Sequence, residues 1–458
     1  MTESIDVAIV GAGPAGMAAA LQLQALGLRV RVLDEQASPG GQIYRSAREA
    51  PAARSALLGA DYEAGRAVVS AFLASGIDYV PQASVWLVTA EREVHYRAAG
   101  QLRRLAAASV LFCCGAYERP MAIPGWTLPG VMTAGAAQIQ LKSAGQVPTE
   151  PVILAGSGPL LYLLAWQYLR AGVAIGALVD TAHPRDALRA LRHLPKALGN
   201  ARQLCKGIGL LRAIRRAKVP WFRGASDLRV QGHTQAEGLS FVSAGQARQV
   251  PARLILLHQG VVPNTQPTLA LQARHRWDDP RQCWVAEQDA WGELSVPGCF
   301  VAGDGAGIEG ATAAALQGRI VAMGIAQGLQ RIAPGEATRL AKPWRRRLAR
   351  ERSARPFLDA LYLPQAAYLA PADETIVCRC EEVTAGAIRH YATLGCQGPN
   401  QAKAYGRCGM GPCQGRQCGL AVTRLLADAR GVSPAEVGYY RIRPPLTPIT
   451  LAELASEQ

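Results

Sequence analysis

The chain has 458 residues, of which 49% are hydrophobic and 18% charged; that excludes disorder as the main state and gives room for about three domains with cores of their own. Forty-nine Lys and Arg against 34 Asp and Glu leave a net charge of +15, but the positive residues are spread along the chain and aromatics are only 6%, which argues against a nucleic-acid-binding protein. The start, MTESIDVAIVGAG, carries acids where a signal peptide needs a basic region, so a cytoplasmic chain is expected, with its eleven cysteines not a disulfide framework.

The first element is a buried parallel strand, Ile5 to Val10, followed by Gly11-Ala12-Gly13-Pro14-Ala15-Gly16 and an Ala/Leu/Gln-rich helix that stops at Gly27. A second strand, Val30 to Leu33, ends at Asp34-Glu35. This is a βαβ unit for a dinucleotide. Gly11 makes the tight turn, Gly13 admits a pyrophosphate to the backbone, Gly16 packs helix on strand, and the helix N-terminus offers free N–H groups. Asp34 follows Gly11 by 23 residues, near the spacing of about 20 for a ribose-binding acid, and the sequence leaves open whether Asp34 or Glu35 takes that role.

The run Val152 to Leu169 has transmembrane length, but Gly156-Ser157-Gly158-Pro159 breaks it, so it reads as strand, turn and helix start. A helix to Ala171-Gly172 and a strand Val173 to Val179 ending at Asp180 repeat the βαβ pattern, with Leu161 where the third glycine belongs. A bulky residue there alters close dinucleotide packing, and no arginine directly follows Asp180 to meet a 2′-phosphate. Far downstream, Cys299 to Val301 reads as a buried strand ending in Gly303-Asp304-Gly305 before the helix-like Ala311 to Gly318.

At this point the chain resembles the two-dinucleotide-domain flavoproteins, which include thioredoxin-reductase-like and glutathione-reductase-like enzymes. The segments Pro39-Gly40-Gly41-Gln42 and Cys114-Gly115-Ala116-Tyr117-Glu118-Arg119-Pro120 fit the same resemblance. It implies an α/β fold of two Rossmann-like domains, with FAD held by Gly11, Gly13, Pro14, Ala15, Gly16, Asp34 or Glu35, Gly41, Gln42, Gly115, Gly303, Asp304 and Thr312. It further implies that Asp304 meets the ribityl or adjacent phosphate, that the following helix start faces the pyrimidine end, and that the second domain takes a nicotinamide cofactor. The Leu161 departure makes that last site vestigial or regulatory, for NAD or ATP. No Cys-x-x-Cys disulfide supports thioredoxin reductase activity, and Cys113-Cys114, adjacent at a strand, face opposite ways.

From 333 to about 372 the chain reads as a basic linker, with Lys342-Pro343-Trp344-Arg345-Arg346-Arg347 and three more arginines by Arg355. Such a run is either a solvated face or a docking strip for an acidic partner or membrane surface. Six of the eleven cysteines then fall within Cys378 to Cys418. Four thiolates suit an iron–sulfur cluster, and a Cys-x-Cys start argues against zinc, whose paired ligands sit two or more residues apart. Cys378-Arg379-Cys380, with Cys413 after an interval of 32 residues, resembles the bacterioferritin-associated ferredoxin domain. Carried over, the ligands of a 2Fe–2S cluster are Cys378, Cys380, Cys413 and Cys418; Cys408, with 27 residues between it and Cys380, is the competitor for the last place. Ser433-Pro434-Ala435-Glu436 is a capping box opening a short helix.

The expected units are therefore 1–122 with 262–332 for FAD, 123–261 for the second nucleotide-binding-like domain, 333–372 as linker, 373–431 for the cluster, and 432–458 as a tail. The seven histidines are scattered, and no catalytic acid–base constellation emerges. Over nearly its whole length the order resembles the alpha subunit of heteromeric, dye-linked amino-acid dehydrogenases. These include opine oxidases, D-hydroxyproline dehydrogenase, archaeal L-proline dehydrogenase and hydrogen cyanide synthase. Asp34-Glu35-Gln36 with Gly40 to Arg45, and Cys408 to Cys418, carry that match. The resemblance implies an electron relay from a separate FAD-containing beta subunit that oxidises the amine, an FMN between subunits, and a small ferredoxin-like gamma chain. It also implies a place in the cytoplasm or at the inner membrane face. Two rivals stand beside it: a self-sufficient NAD(P)H-dependent flavin/iron–sulfur reductase, and a redox-sensing regulator, for which no DNA-binding motif speaks.

Overall fold

The computed structural model describes residues 3–455. The apolar run at the start forms the strand Glu3–Val10 at the middle of a seven-stranded sheet. Val7, Ala8 and Ile9 are fully enclosed, as a parallel strand covered on both faces requires. Parallel neighbours are Val30–Leu33 on one side and the end of Gln101–Phe112 on the other, with Val10 opposite both Leu33 and Phe112. Cys299–Val301 adds in parallel beside Val110 to Phe112, so the downstream glycine-aspartate turn arrives next to the first glycine loop. A hairpin not foreseen from the sequence, Ser84–Val88 with Glu93–Ala98, pairs antiparallel onto the first half of Gln101–Phe112.

The helices Pro14–Ala25 and Ala311–Gly328 pack on one face of this sheet. They approach so closely that a Cβ at Gly318 would collide with the carbonyl of Ala15. The chain leaves this unit through Ala116–Glu118 and returns through Val261–Pro263, and the two crossings pair antiparallel.

Between the crossings lies a second parallel sheet, ordered Trp221–Arg223, Ile175–Asp180, Val152–Ser157, Leu254–Gln259, Val131–Thr133. The helix Pro159–Arg170 starts directly after Gly158, and Leu161 is sealed in the core against Val152 and Leu154. A three-stranded antiparallel sheet, Ser226–Gln231, Gly238–Ser243 and Gln246–Pro251, covers part of this unit.

The stretch read as a linker is not extended. Pro334–Arg352 is a helix that docks Ala337 and Ala341 on the first core and Leu348 beside Ile320. Its arginines cover a thin apolar stripe, while Arg345 stacks on Trp291 at 4.4 Å and Arg352 bonds Glu309 at 2.7 Å. Arg346 and Arg347 stay exposed. The cysteine-rich end is a small unit with its own core of Val377, Ile388, Val422, Leu425 and Leu426. Its short hairpin, Ile376–Cys378 with Val383–Thr384, precedes the helices Ala385–Thr393, Pro399–Gly406 and Gly419–Arg430. The capping box at Ser433 and Glu436 forms as expected. Trp126 Nε1 ties the hairpin to the second domain through Ile376 O at 2.7 Å. No helix among the described residues is long and apolar enough to cross a membrane.

Candidate functional site

The sheet register brings the dispersed glycine segments to one place. Gly11, at φ +106°, bonds Leu33 O, and a Cβ there would collide with Cys113 O; a Cβ at Gly16 would collide with Gly11 O. Gly13 differs. Its φ is −74°, and an added Cβ would have only Gly41 Cα within 4 Å, at 3.9 Å. The Pro39–Gln42 segment closes over this loop through Gly40 N to Ala12 O at 2.8 Å. Gly303 lies against Ala15, and Gly305 against the backbone of Gly115. Gly115, at φ +65°, faces open space, since a Cβ there would meet nothing within 4 Å. Both helix starts that converge here, Pro14–Ala25 and Ala311–Gly328, lack a side-chain cap and any acid in the first turn. Their N–H groups and positive dipole ends are thus available to an anion. A cradle that Cβ atoms would fill, floored by uncapped helix starts, fits a dinucleotide.

Two carboxylates serve this cradle from within. Asp34 is buried and spends both oxygens on backbone, Oδ2 accepting from Ala12 N at 2.5 Å and Oδ1 from Gln36 N at 2.8 Å. Burial pushes its carboxyl above the ordinary range. Glu35 is exposed beside it. Asp304 uses Oδ1 to order the next loop, accepting from Glu309 N at 2.9 Å and Gly310 N at 3.1 Å, while Thr312 stands exposed in the first helical turn. Gln42 is also exposed, held by Arg45 at 3.1 Å. Nothing in the local sequence marks Lys142. This buried lysine, on the helix Ala134–Ala144 that leads into the second domain, donates to Gln42 O at 2.9 Å. Burial, with Arg45 adding repulsion, lowers its pKa to about 7.

The second glycine turn is filled differently. Asp180, at the ribose-binding position, accepts from Tyr162 Oη at 2.8 Å, Trp221 Nε1 at 3.3 Å and Ala182 N at 2.9 Å. A Cβ on Gly158 would lie 3.0 Å from His258 Nε2, and His258 Nδ1 in turn pairs with Glu118 Oε1 at 2.5 Å. Asp180 is thus bonded on both oxygens and His258 lies over Gly158, while the helix start at Pro159 carries neither a side-chain cap nor an acid in its first turn.

The cysteine cluster forms, with a change of membership. The Sγ atoms of Cys378, Cys408 and Cys418 all lie within 4.8 Å of one another, buried. Cys413, half-buried, neighbours the exposed Cys380 beside them. Cys408, outside the expected ligand set on spacing alone, is therefore central, because Cys408–Cys413 curls around Cys378–Cys380. Gly409 N donates to Cys378 Sγ at 3.5 Å, and a Cβ on Gly411 would collide with Cys380. Hydrogen bonds from Cys408 and Cys418 hold the Cys378 thiol down to about 2, and the bond to Cys378 pushes Cys408 up to about 12. Three converging soft donors with two more thiols beside them, around a glycine-rich loop, fit iron–sulfur ligation.

Known proteins share this layout. The profile for pyridine nucleotide-disulphide oxidoreductases matches residues 5–318, and that for the sarcosine oxidase A3 domain matches 372–458. Two opine oxidase A subunits align along nearly the whole chain. That of Rhizobium meliloti is 45% identical over 99% of this chain and 88% of its own length; that of Agrobacterium tumefaciens is 44% identical over 99% and 92%. The HcnB subunit of hydrogen cyanide synthase from Pseudomonas aeruginosa is 34% identical over 96% of each chain. The crystal structure of L-proline dehydrogenase from P. horikoshii shares the fold with a TM-score of 0.70 at 18% identity, covering 99% of this chain and 80% of that one. Two Rossmann-like domains, a cysteine-rich end and full-length similarity together place the chain among the pyridine nucleotide-disulphide oxidoreductases, in the family of opine oxidase A subunits.

Proposed function

We propose that this chain is the electron-relaying alpha subunit of a heteromeric flavin/iron–sulfur dehydrogenase acting on a secondary amine or amino acid of opine or proline type, with C–N oxidation in a partner FAD subunit. The observation that carries the reading is one chain, similar to the opine oxidase A subunits along its length, that holds both a dinucleotide cradle and three converging thiols with two more beside them. FAD accepts electrons in pairs and a 2Fe–2S cluster passes them singly, which is the chemistry a relay needs.

In this reading Gly11, Gly13, Pro14, Ala15 and Gly16 bind the FAD pyrophosphate at the helix start. Glu35, whose carboxylate is exposed while that of Asp34 is committed to backbone, holds the ribose. Asp304 orders the loop before the second helix start, where Thr312 lies, and Gly41, Gln42, Gly115 and Gly303 shape the rest of the cradle. A 2Fe–2S cluster takes two thiolates per iron, so the donors are best sorted into two pairs. Cys378 with Cys408 forms one and Cys380 with Cys413 the other, each short segment giving one thiolate to each iron; Cys418, at the N-cap position of the helix Gly419–Arg430 and equally near Cys378, is the alternative to Cys408. The closed Asp180 and the His258-covered Gly158 favour electron entry from a protein partner over NAD(P)H. The exposed Arg346 and Arg347 suit docking of an acidic partner surface, at which an FMN and a gamma chain would sit. The same frame would serve the hydrogen cyanide synthase relative, with the amine chosen in the partner.

Co-expression with a flavoprotein beta subunit tests this. The pair should reduce an artificial dye when given an opine or a cyclic imino acid, and the lone chain should not. Dye reduction by the lone chain with NADH would favour the reductase instead.

A further inference from the structure

Three tyrosines that cofactor binding does not account for stand between the crossing strand that leaves the cradle and the thiols. Gly115, beside the Gly303–Gly305 turn, opens the crossing strand Ala116–Glu118, on which Tyr117 stands. Tyr117 and Tyr439 line one small cavity with Val262, Cys283 and Leu420, where the flavin-side strand meets the cysteine-rich unit, and the Tyr439 hydroxyl donates to Gly415 O at 3.4 Å. Tyr439 packs edge-on against Tyr440, with ring centroids 5.7 Å apart. The Tyr440 hydroxyl then lies 3.5 Å from Cys408 Sγ and 3.7 Å from Cys418 Sγ. The loop glycines make room for these rings: a Cβ at Gly409 or Gly415 would run into the Tyr440 ring, and one at Gly419 into the Tyr439 hydroxyl.

We propose that Tyr117, Tyr439 and Tyr440 form the electron path from the flavin cradle to the iron–sulfur thiolates. The proposal rests on the relay reading above. Electronic coupling decays less steeply through bonds, hydrogen bonds and packed rings than across a gap, and this line is an aromatic connection between the crossing strand and the cluster loop. Each transfer takes one electron from reduced FAD and turns one ferric iron of the cluster ferrous; the flavin releases one proton with it. The second electron follows once a one-electron acceptor, such as a dye, has reoxidised the cluster. The tyrosines undergo no net change.

The test uses the loaded chain under anaerobic conditions, with the flavin photoreduced by a flash and the cluster followed by its visible absorbance and by EPR. Tyr439→Leu should slow cluster reduction by about tenfold or more, with FAD content, cluster content and cluster potential unchanged. Tyr439→Phe, which keeps the ring and loses the hydroxyl, should fall between Tyr439→Leu and the parent. Tyr117→Leu alters only the flavin side of the path; it should show the same slowing and decides the matter where Tyr439→Leu fails to hold its cluster. Parental rates in both leucine variants would overturn the path while leaving the relay intact. A parent chain whose cluster is never reduced by its flavin would overturn the relay, and the path with it.

Discussion

At the residue scale the glycines of the first turn do separate jobs, and the structure sorts them. Gly16→Ala would force a Cβ into the Gly11 carbonyl and should destabilise the chain by about 1–3 kcal/mol. Gly13→Ala meets no close protein atom and should cost about 1 kcal/mol or less in stability while lowering FAD retention by about tenfold, since its methyl points where the pyrophosphate belongs. Flavin absorbance set beside thermal melting separates the two; a Gly13→Ala protein with full flavin would move the cofactor elsewhere. Among the thiols, Cys408→Ser should bleach the cluster spectrum and Cys418→Ser should leave it, and the reverse would exchange their roles. This ranking departs from the one spacing supports. Counting residues from Cys380 favours Cys413 and Cys418; the fold keeps Cys418 beside Cys378 and brings Cys408 equally near, because distance along a chain is not distance in space. The acid pair shows the same limit: Asp34 and Glu35 are equivalent in sequence, and only burial and hydrogen bonds separate a backbone clamp from an exposed carboxylate.

At the scale of elements, both βαβ units were legible because glycine turns and continuous apolar strands leave strong local marks. The helix Pro334–Arg352 was not, since its apolar stripe of Ala337, Ala341 and Leu348 is thin and arginines dominate its composition. The hairpin Ser84–Val88 with Glu93–Ala98 was hidden as well, because its worth depends on pairing with the distant Gln101–Phe112. Lys142 belongs at this scale, for it joins the helix Ala134–Ala144 to the Gln42 loop. Its folded pKa of about 7 lies below the ordinary 10.5, so between those values the unfolded chain holds a proton that the folded chain lacks. Stability from this residue should therefore rise with pH across that window, by at most about 1.4 kcal/mol per unit, and its penalty is complete below pH 7. Lys142→Met should be relatively more stable at neutral pH than at pH 9 when compared with the parent by urea unfolding. An equal difference at both pH values would contradict a lysine that loses its proton on folding.

At the scale of the whole molecule, the order of parts explains the division of labour. The flavin cradle is split around an inserted domain, and in the insertion's own turn Asp180 is bonded and His258 lies over Gly158. The thiol unit meets the crossing strand at Tyr117 and is tied to the second domain through Trp126. In the proposed relay such a body would gather electrons from outside and hand them on, so the source of the electrons is what decides it. The most direct measurement is an anaerobic absorbance titration of the FAD- and cluster-loaded chain with an opine or cyclic imino acid, with and without a flavoprotein beta subunit. Flavin and cluster bands should stay oxidised in the lone chain and bleach in turn once the partner is added. Bleaching of the lone chain by the amine itself would contradict the relay and place the C–N chemistry within this chain.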